Sequence, residues 1–317
     1  MKITVAICTW NRAKLLDSTL GRMVSLLIPK GVTWELLVVN NNSTDETGIV
    51  LASYAGRLPL RTVFEAIPGI SSARNRAACE ARGDLIVWTD DDVLVDSDWM
   101  AAYAAAAAQW PGAAFFGGPI EPWFEGEPPA WLLQIYPKVQ DAFAARELGK
   151  DPLLFTDVVL PYGANYAIRA EVQRRYSYDR DLGRRPDSAI GGEESAVMEA
   201  IIRDGLEGRW VPDARVKHFI PLKRQTMLYL RQYFHGAGLN WTLSKKPKWP
   251  LLFGYPRWAV VQVLQSELKY QMLRHMCAPK VWIDDLVLAS MLWGYLEGDR
   301  TVRKQNLFRS VRLLLRF

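Results

Sequence analysis

Residues Ile3 to Cys8 form an unbroken apolar run, the pattern of a strand buried on both faces. Thr9-Trp10-Asn11-Arg12 ends it, and Leu15, Leu16, Leu20, Met23, Val24 and Leu27 follow at helical spacing. Leu36 to Val39 repeats the strand pattern and stops at the polar run Asn40 to Asp45, which can cap a helix. Leu60 to Phe64 reads as a third strand. Ser71 or Ser72 can cap a helix through Ala77, Ala78 and Ala81 that ends at Gly83. Leu85 to Thr89 is a fourth apolar run, and it ends in three consecutive carboxylates, Asp90-Asp91-Asp92. Strands alternating with helices predict an α/β fold, a mostly parallel central sheet flanked by helices.

After Asp92 the pattern changes. Ser97-Asp98 opens a helix from Trp99 to about Gln109, and Ala114 to Phe116 reads as a strand. From Pro119 to about Leu160 the chain is rich in Pro, Trp and Gly and reads as an insertion with a lid-like part. Trp123 and Trp131 in it suit either an acceptor surface or core packing. Pro161 to Arg169 returns to turn and strand, Glu193-Glu194 stand at a helix start, and 209–211 and 215–218 read as short strands. Beyond Phe219 strands disappear. Leu264, Leu268 and Met272 recur at helical spacing, as do Leu307, Val311 and Leu314 among Arg303, Lys304, Arg309, Arg312 and Arg316. A basic amphipathic helix suits an anionic membrane surface, or the solvated face of a packed helix.

Composition narrows the field modestly. The net charge of +5 over 317 residues fits anionic small molecules or an anionic membrane and does not require nucleic acid. Three scattered cysteines, Cys8, Cys79 and Cys277, argue against a disulfide framework and for a reducing cytoplasm. The N-terminus enters a strand directly, which predicts no signal peptide. The longest apolar run, Leu286 to Leu296, falls short of the ~20 residues that span a bilayer.

The candidate chemistry lies where strands end. Thr9 to Arg12, Asn40 to Asp45, Arg74 to Arg76 and Asp90 to Asp92 lie at or near successive strand ends, and parallel strands share one C-terminal edge. Amides suit a base or ribose, guanidinium suits phosphate, and carboxylates suit Mg²⁺ or Mn²⁺. Together they describe a nucleoside-diphosphate site. If strand geometry persists past Thr89, Asp90 and Asp92 point the same way and share one metal. A solvated turn is the plain alternative. No Gly-x-x-x-x-Gly-Lys and no Gly-x-Gly-x-x-Gly after the first strand are present, which excludes a P-loop and disfavours a dinucleotide fold. Glu193-Glu194 at a helix start can serve as a general base or as first-turn capping.

The ordered set Val5 to Arg12, Val38 to Asp45, Gly69 to Arg76, Gly83 to Asp92, Gly163 to Arg169 and Gly192-Glu193-Glu194 resembles the family-2 inverting glycosyltransferases of the GT-A fold. The resemblance covers residues 1–220 and implies a GT-A catalytic domain, with a nucleotide-sugar-binding half (1–118) and an acceptor half (119–220). Residues 221–317 would form a helical C-terminal extension. The implied donor is a nucleotide-diphospho-sugar, a UDP-sugar foremost, and the implied cofactor is Mn²⁺ or Mg²⁺. The implied acceptor is a saccharide or a lipid-linked sugar, in bacterial surface-polysaccharide or glycolipid assembly. Location follows as cytoplasmic, peripheral on the inner face of the membrane.

By the same resemblance, Asp90-Asp91-Asp92 is the DxD-type motif, Asp92 the direct metal ligand and Asp90 nearer the ribose. Thr9, Asn11, Arg12 and Asn40 line the nucleoside pocket, and Arg74 lies near the pyrophosphate. Asn75, Asp91 and Asn165 complete the binding set. His218 sits where relatives often place a histidine near the metal or the diphosphate. Glu194 falls at the catalytic base, with Glu193 beside it as the other candidate. Two departures bear on this. Asn40 stands where many relatives carry Asp, which opens the base identity, and Glu193-Glu194 stands where Glu-Asp is usual. The rival readings are a nucleotidylyltransferase, which would need a Gly-rich Arg/Lys loop after the first strand, and a non-catalytic nucleotide-sugar-binding module.

Overall fold

The structure is a computed structural model; it describes residues 1–184, 191–244, 251–252 and 255–298. The basic stretch with Arg303, Lys304, Leu307, Arg309, Val311, Arg312, Leu314 and Arg316 lies outside the described residues. The chain divides into two compact units. The first comprises Met1–Trp123 and Phe143–Ile220; the second comprises Phe124–Ala142 with the described residues from Pro221 onward.

In chain order the elements of the first unit are β1 (Lys2–Thr9), α1 (Ala13–Met23), β2 (Thr33–Asn40), α2 (Thr47–Ser53), β3 (Leu60–Phe64), α3 (Ile70–Glu80), β4 (Leu85–Asp90), β5 (Val93–Val95), α4 (Trp99–Gln109), β6 (Ala113–Gly117) and β7 (Ile120–Phe124). After α5 (Ala130–Val139), which belongs to the second unit, follow β8 (Asn165–Arg169), α6 (Ala170–Gln173), α7 (Glu193–Arg203), β9 (Glu207–Trp210) and β10 (Val216–Ile220). A seven-stranded sheet runs β3-β2-β1-β4-β8-β6-β9. β8 is antiparallel to both β4 and β6; the other neighbours are parallel.

The apolar runs are continuous because the sheet is buried on both faces. Ile3, Val5, Ile7, Leu36, Val38, Leu85 and Val87 pack with Leu16 and Leu20 of α1 and Trp99 and Tyr103 of α4. The alternate residues Ala6, Leu37, Val39, Ile86 and Trp88 pack with Ala73 and Ala77 of α3 and Val197, Met198 and Ile201 of α7. Alternation along a strand thus feeds two cores rather than a core and solvent.

β2 begins at Thr33, ahead of the expected Leu36, because its polar start pairs with β1 from Lys2 onward. Buried Glu35 lies in that start and accepts from the Thr4 hydroxyl at 2.7 Å, the Arg82 N–H at 2.8 Å and Arg61 at 3.2 Å. Of a second, three-stranded sheet of β5, β10 and β7, only β10 has a counterpart in the expected strands, that over 215–218. β5 is three residues long, too short to leave a period. Its antiparallel pairing sets His218 opposite Val93, next to the acidic triplet.

The second unit is helical: α5, α8 (Met227–Ser244), the two-residue strands β11 (Leu251–Leu252) and β12 (Tyr255–Pro256), α9 (Arg257–Leu273) and α10 (Pro279–Gly298). The helix of the Pro/Trp-rich insertion, which carries Trp131, is therefore part of this unit, whereas Trp123 stacks edge-on against Phe219 in the first. α8 and α10 meet backbone to backbone. A β-carbon on Gly238 would fall 1.8 Å from the Met291 carbonyl oxygen, and one on Gly294 1.9 Å from that of His235. No described helix is long and apolar enough to cross a membrane.

Candidate active site

β4 ends at Asp90 and the chain turns there, so the acidic triplet does not continue the strand alternation. Asp90 follows Trp88 toward α3 and α7, where its Oδ1 lies 3.6 Å from Arg74 Nη2. Asp91 and Asp92 turn the other way, and both meet Arg12 Nη1, at 2.9 and 2.7 Å. The expected pairing of Asp90 with Asp92 is replaced by one of Asp91 with Asp92, because the strand stops one residue into the triplet. Thr9 Oγ1 donates to Asp91 Oδ2 at 2.8 Å, and Thr19 Oγ1 to the Asp91 carbonyl at 2.9 Å.

Arg74 forms a second group. Its Nη1 donates to Glu193 Oε1 at 2.5 Å and to Glu194 Oε2 at 3.2 Å. Its guanidinium lies 5.9 Å from the Tyr166 ring and 5.7 Å from that of Tyr178, whose hydroxyls are 2.8 Å apart. Both glutamates start α7, after Gly192 in the left-handed conformation. The other Glu194 oxygen, Oε1, faces Gly163, where a β-carbon would come within 2.5 Å of it. Gly163 is a site residue that sequence reasoning missed; a bare Gly-Ala-Asn carries no signal of what it faces.

Five carboxylates therefore share two guanidiniums at one sheet edge. Burial disfavours their charge, and Arg12 and Arg74 only partly offset it. Burial pushes Asp91 up to about 7 and raises Asp90. It also pushes Glu193 up to about 7. Glu194 goes the other way: burial opposes its charge, but Arg74, its own backbone N–H and Glu193 outweigh it and hold the carboxyl below the usual range. Cys8, half-buried between the two groups, is pushed up to about 12 by desolvation and stays a neutral thiol.

His218 closes the Arg12 group. Its Nδ1 lies 3.0 Å from the Phe143 carbonyl and its Nε2 3.5 Å from Asp92 Oδ1, with both side chains buried. A carbonyl only accepts, so Nδ1 carries the proton and a neutral ring turns the Nε2 lone pair toward a carboxylate. That arrangement favours a cation between them, either a proton or a metal ion. The described residues contain no group of three or more His, Cys, Asp or Glu side chains placed to hold an ion. A cation bound through one or two protein ligands, with waters and substrate phosphates completing its shell, is the usual Mg²⁺ arrangement, and the donors present fit it.

The remaining predicted residues make hydrogen bonds within the fold. Asn165 is fully buried: it accepts from Trp99 Nε1 and Tyr103 Oη, each at 2.8 Å, and donates to the Pro119 and Ala214 carbonyls at 2.9 and 2.6 Å. Its polar capacity is spent inside the core. Asn75 clamps the Tyr178 backbone with its amide nitrogen and oxygen, each at 2.8 Å. Asn11, at φ 53°, accepts from the Thr44 N–H at 2.7 Å, and Asn40 from the Ser43 N–H at 2.9 Å. These two amides shape the loop after β2 beside the Arg12 group. Asn41, not singled out from sequence, ties that loop to the approach of α3 through Glu65, Ile67 and Gly69.

Residues 4–175 match the family model described as Glycosyl transferase family 2. Succinoglycan biosynthesis protein ExoM of Rhizobium meliloti is 25% identical over 134 residues, 42% of this chain and 43% of that protein. Validoxylamine A glucosyltransferase of Streptomyces hygroscopicus subsp. jinggangensis is 36% identical over 108 residues, 33% of this chain and 25% of that protein. The matches thus span less than half the length of these curated relatives. Among solved structures, the mannosyltransferase PcManGT of Pyrobaculum calidifontis, in complex with GDP-Man and Mn²⁺, aligns with a TM-score of 0.55 at 18% identity, covering 98% of this chain and 78% of that one. TarS 1–349 of S. aureus aligns with a TM-score of 0.54 at 16% identity, covering 96% and 92%. At such identities the likeness is one of fold.

Proposed function

The chain belongs to glycosyl transferase family 2, and we propose that it is an inverting, metal-dependent glycosyltransferase using a nucleotide-diphospho-sugar. The observation that carries this reading is the charge balance at the sheet edge: five carboxylates around two guanidiniums. Left alone, that excess of negative charge would repel a diphosphate. Asp92 and His218, 3.5 Å apart, are the residues that would hold a divalent cation, and such a cation would offset that excess of negative charge. When bound, it would neutralise charge on the departing diphosphate.

The two arginines divide the work. Arg12, with 37% of its side chain exposed, faces solvent and can turn toward an anionic donor. Arg74 is 5% exposed and committed to carboxylates, so it holds the base rather than the diphosphate. Glu194 is ionised at neutral pH, anchored through Oε2, with Oε1 left to take a proton from an acceptor hydroxyl. The acceptor oxygen forms the new bond to the anomeric carbon as the bond to the diphosphate breaks, and the electron pair leaves on the diphosphate. One in-line displacement inverts the carbon and requires no covalent enzyme intermediate.

The donor base is the finer part of the reading. The complexes of the fold neighbours contain GDP-Man in one case and UDP or UDP-GlcNAc in another, and we keep a UDP-sugar as the first to test. A saccharide or lipid-linked acceptor in polysaccharide assembly is supported by the name of the relative ExoM. Calorimetric titration with UDP, GDP and dTDP, each with and without Mn²⁺, and repeated on Asp92→Ala, tests the site. Tight metal-dependent binding of one nucleotide, lost in the variant, supports the proposal. Absence of binding under every condition overturns it.

A further inference from the structure

α9 is apolar on two sides. One side carries Ala259, Val260 and Val263, which pack with Leu292, Tyr295 and Leu296 of α10. The other side leaves Val261, Leu264, Leu268 and Met272 between 40% and 61% exposed, at helical spacing, and just past the helix Met276 is 83% exposed. A water-facing helix surface normally carries polar residues along such a line. Isolated exposed apolar residues need no explanation, but a continuous row of them does.

The exposed charges of α9 itself have one sign. The other exposed positions of α9 are Arg257, Gln262, Gln265 and Lys269. Its single carboxylate, Glu267, is 2% exposed and paired with Arg231 at 2.7 Å. Exposed Lys280 lies at the start of α10, and the carboxylate nearest to it in sequence on that helix, Asp284, is paired with Lys138 at 2.6 Å. In the sequence, residues 301–317 add five basic residues and no acidic one.

We propose that the exposed face of α9 is a docking surface for an anionic phospholipid bilayer. Its apolar row enters the acyl boundary while Arg257, Lys269 and Lys280 meet the headgroups. An apolar stripe flanked by cations is what an interfacial helix needs, and each cation near an anionic surface adds to the attraction. A second copy of the chain fits less well. Two-fold pairing through this face would gather Arg257 and Lys269 of both copies at one interface with no exposed α9 carboxylate to answer them. The docking does not depend on the donor-site reading.

The test is flotation of the full-length protein with vesicles of pure phosphatidylcholine and of phosphatidylcholine with 30% phosphatidylglycerol. Two variants accompany the wild type: Leu264→Gln/Leu268→Gln/Met272→Gln and Arg257→Glu/Lys269→Glu. All substituted residues are exposed, and circular dichroism with the nucleotide titration checks that each variant keeps its fold and donor site. The wild type floats with the anionic vesicles, and each variant partitions at least about tenfold less. Equal partition onto neutral vesicles overturns the proposal, as does a triple variant that floats like the wild type. A concentration-dependent dimer that the triple variant abolishes, without flotation, assigns the face to a second copy and also overturns it. A variant that still binds nucleotide but not vesicles keeps the two readings separate.

Discussion

Arg12 and Arg74 both gather carboxylates at the same sheet edge, yet Arg12 leaves 37% of its side chain in solvent and Arg74 only 5%. Arg12 follows directly on β1, and water can take over part of its role when it moves. Arg74 sits within α3 over the Tyr166 and Tyr178 rings, where nothing replaces it. A half-exposed guanidinium can exchange partners at low cost; a desolvated one fixes its partners, because releasing them strands buried charge. The contrast separates a group suited to meeting a substrate from a group suited to positioning a base.

The sharpest way to break this division is at the base. Glu194→Gln is expected to lower kcat by about 10²–10⁴-fold while leaving the calorimetric nucleotide titration unchanged. If the loss follows Glu193→Gln instead, the two glutamates exchange roles. Next in size is stability. Urea unfolding of Arg74→Met is expected to show a loss of about 3–5 kcal/mol, the cost of stranding buried charge. Arg12→Met is expected to lose less, because water can reach the place it leaves beside Asp91 and Asp92. The reverse order would end the comparison.

Gly163→Ala sharpens it further. The added methyl would press on Glu194 Oε1 and on Arg74 Nη2. A roughly ten- to hundredfold fall in kcat is expected from misplacing the base, with donor affinity unchanged; a matching fall in nucleotide affinity would place Gly163 on the donor side. The smallest effects are those of pH on stability, and their signs differ. Glu193 is raised by burial from 4.5 to about 7, so the folded state keeps its proton longer than the unfolded one. Its contribution therefore weakens stability as pH rises through that window, and Glu193→Gln removes the slope. Burial would raise Glu35 as well, but Thr4, Arg82 and Arg61 hold it below its usual 4.5. Its contribution is present above 4.5 and lost as pH falls through the lowered value, and Glu35→Gln removes that acid sensitivity. Urea midpoints measured from pH 2 to 8 check both.

The sheet was legible in the sequence wherever burial on both faces made strands continuous, as in β1, β2 and β4. It was not legible in β5 and β7, which are short and held by partners distant in sequence. At the site, the residue types were visible and their directions were not. Alternation along a continued strand would join Asp90 to Asp92, but the strand ends at Asp90 and the turn joins Asp91 to Asp92 instead. Asn165 and Asn75 look the same in sequence as amides that bind a ligand. Only the four partners of Asn165 and the Tyr178 clamp of Asn75 reveal that both are spent on the fold. His218 gains its meaning from β5, the element with least sequence signal.

The crossing of α8 and α10 sets a rule of substitution for the helical unit. At Gly238 and Gly294 a β-carbon would land within 2 Å of a carbonyl oxygen on the facing helix. The alphabet at those two positions therefore has a single letter. A descendant chain could exchange almost any exposed residue of these helices one at a time, but to leave glycine at either position it would have to re-space the whole helix pair in the same step.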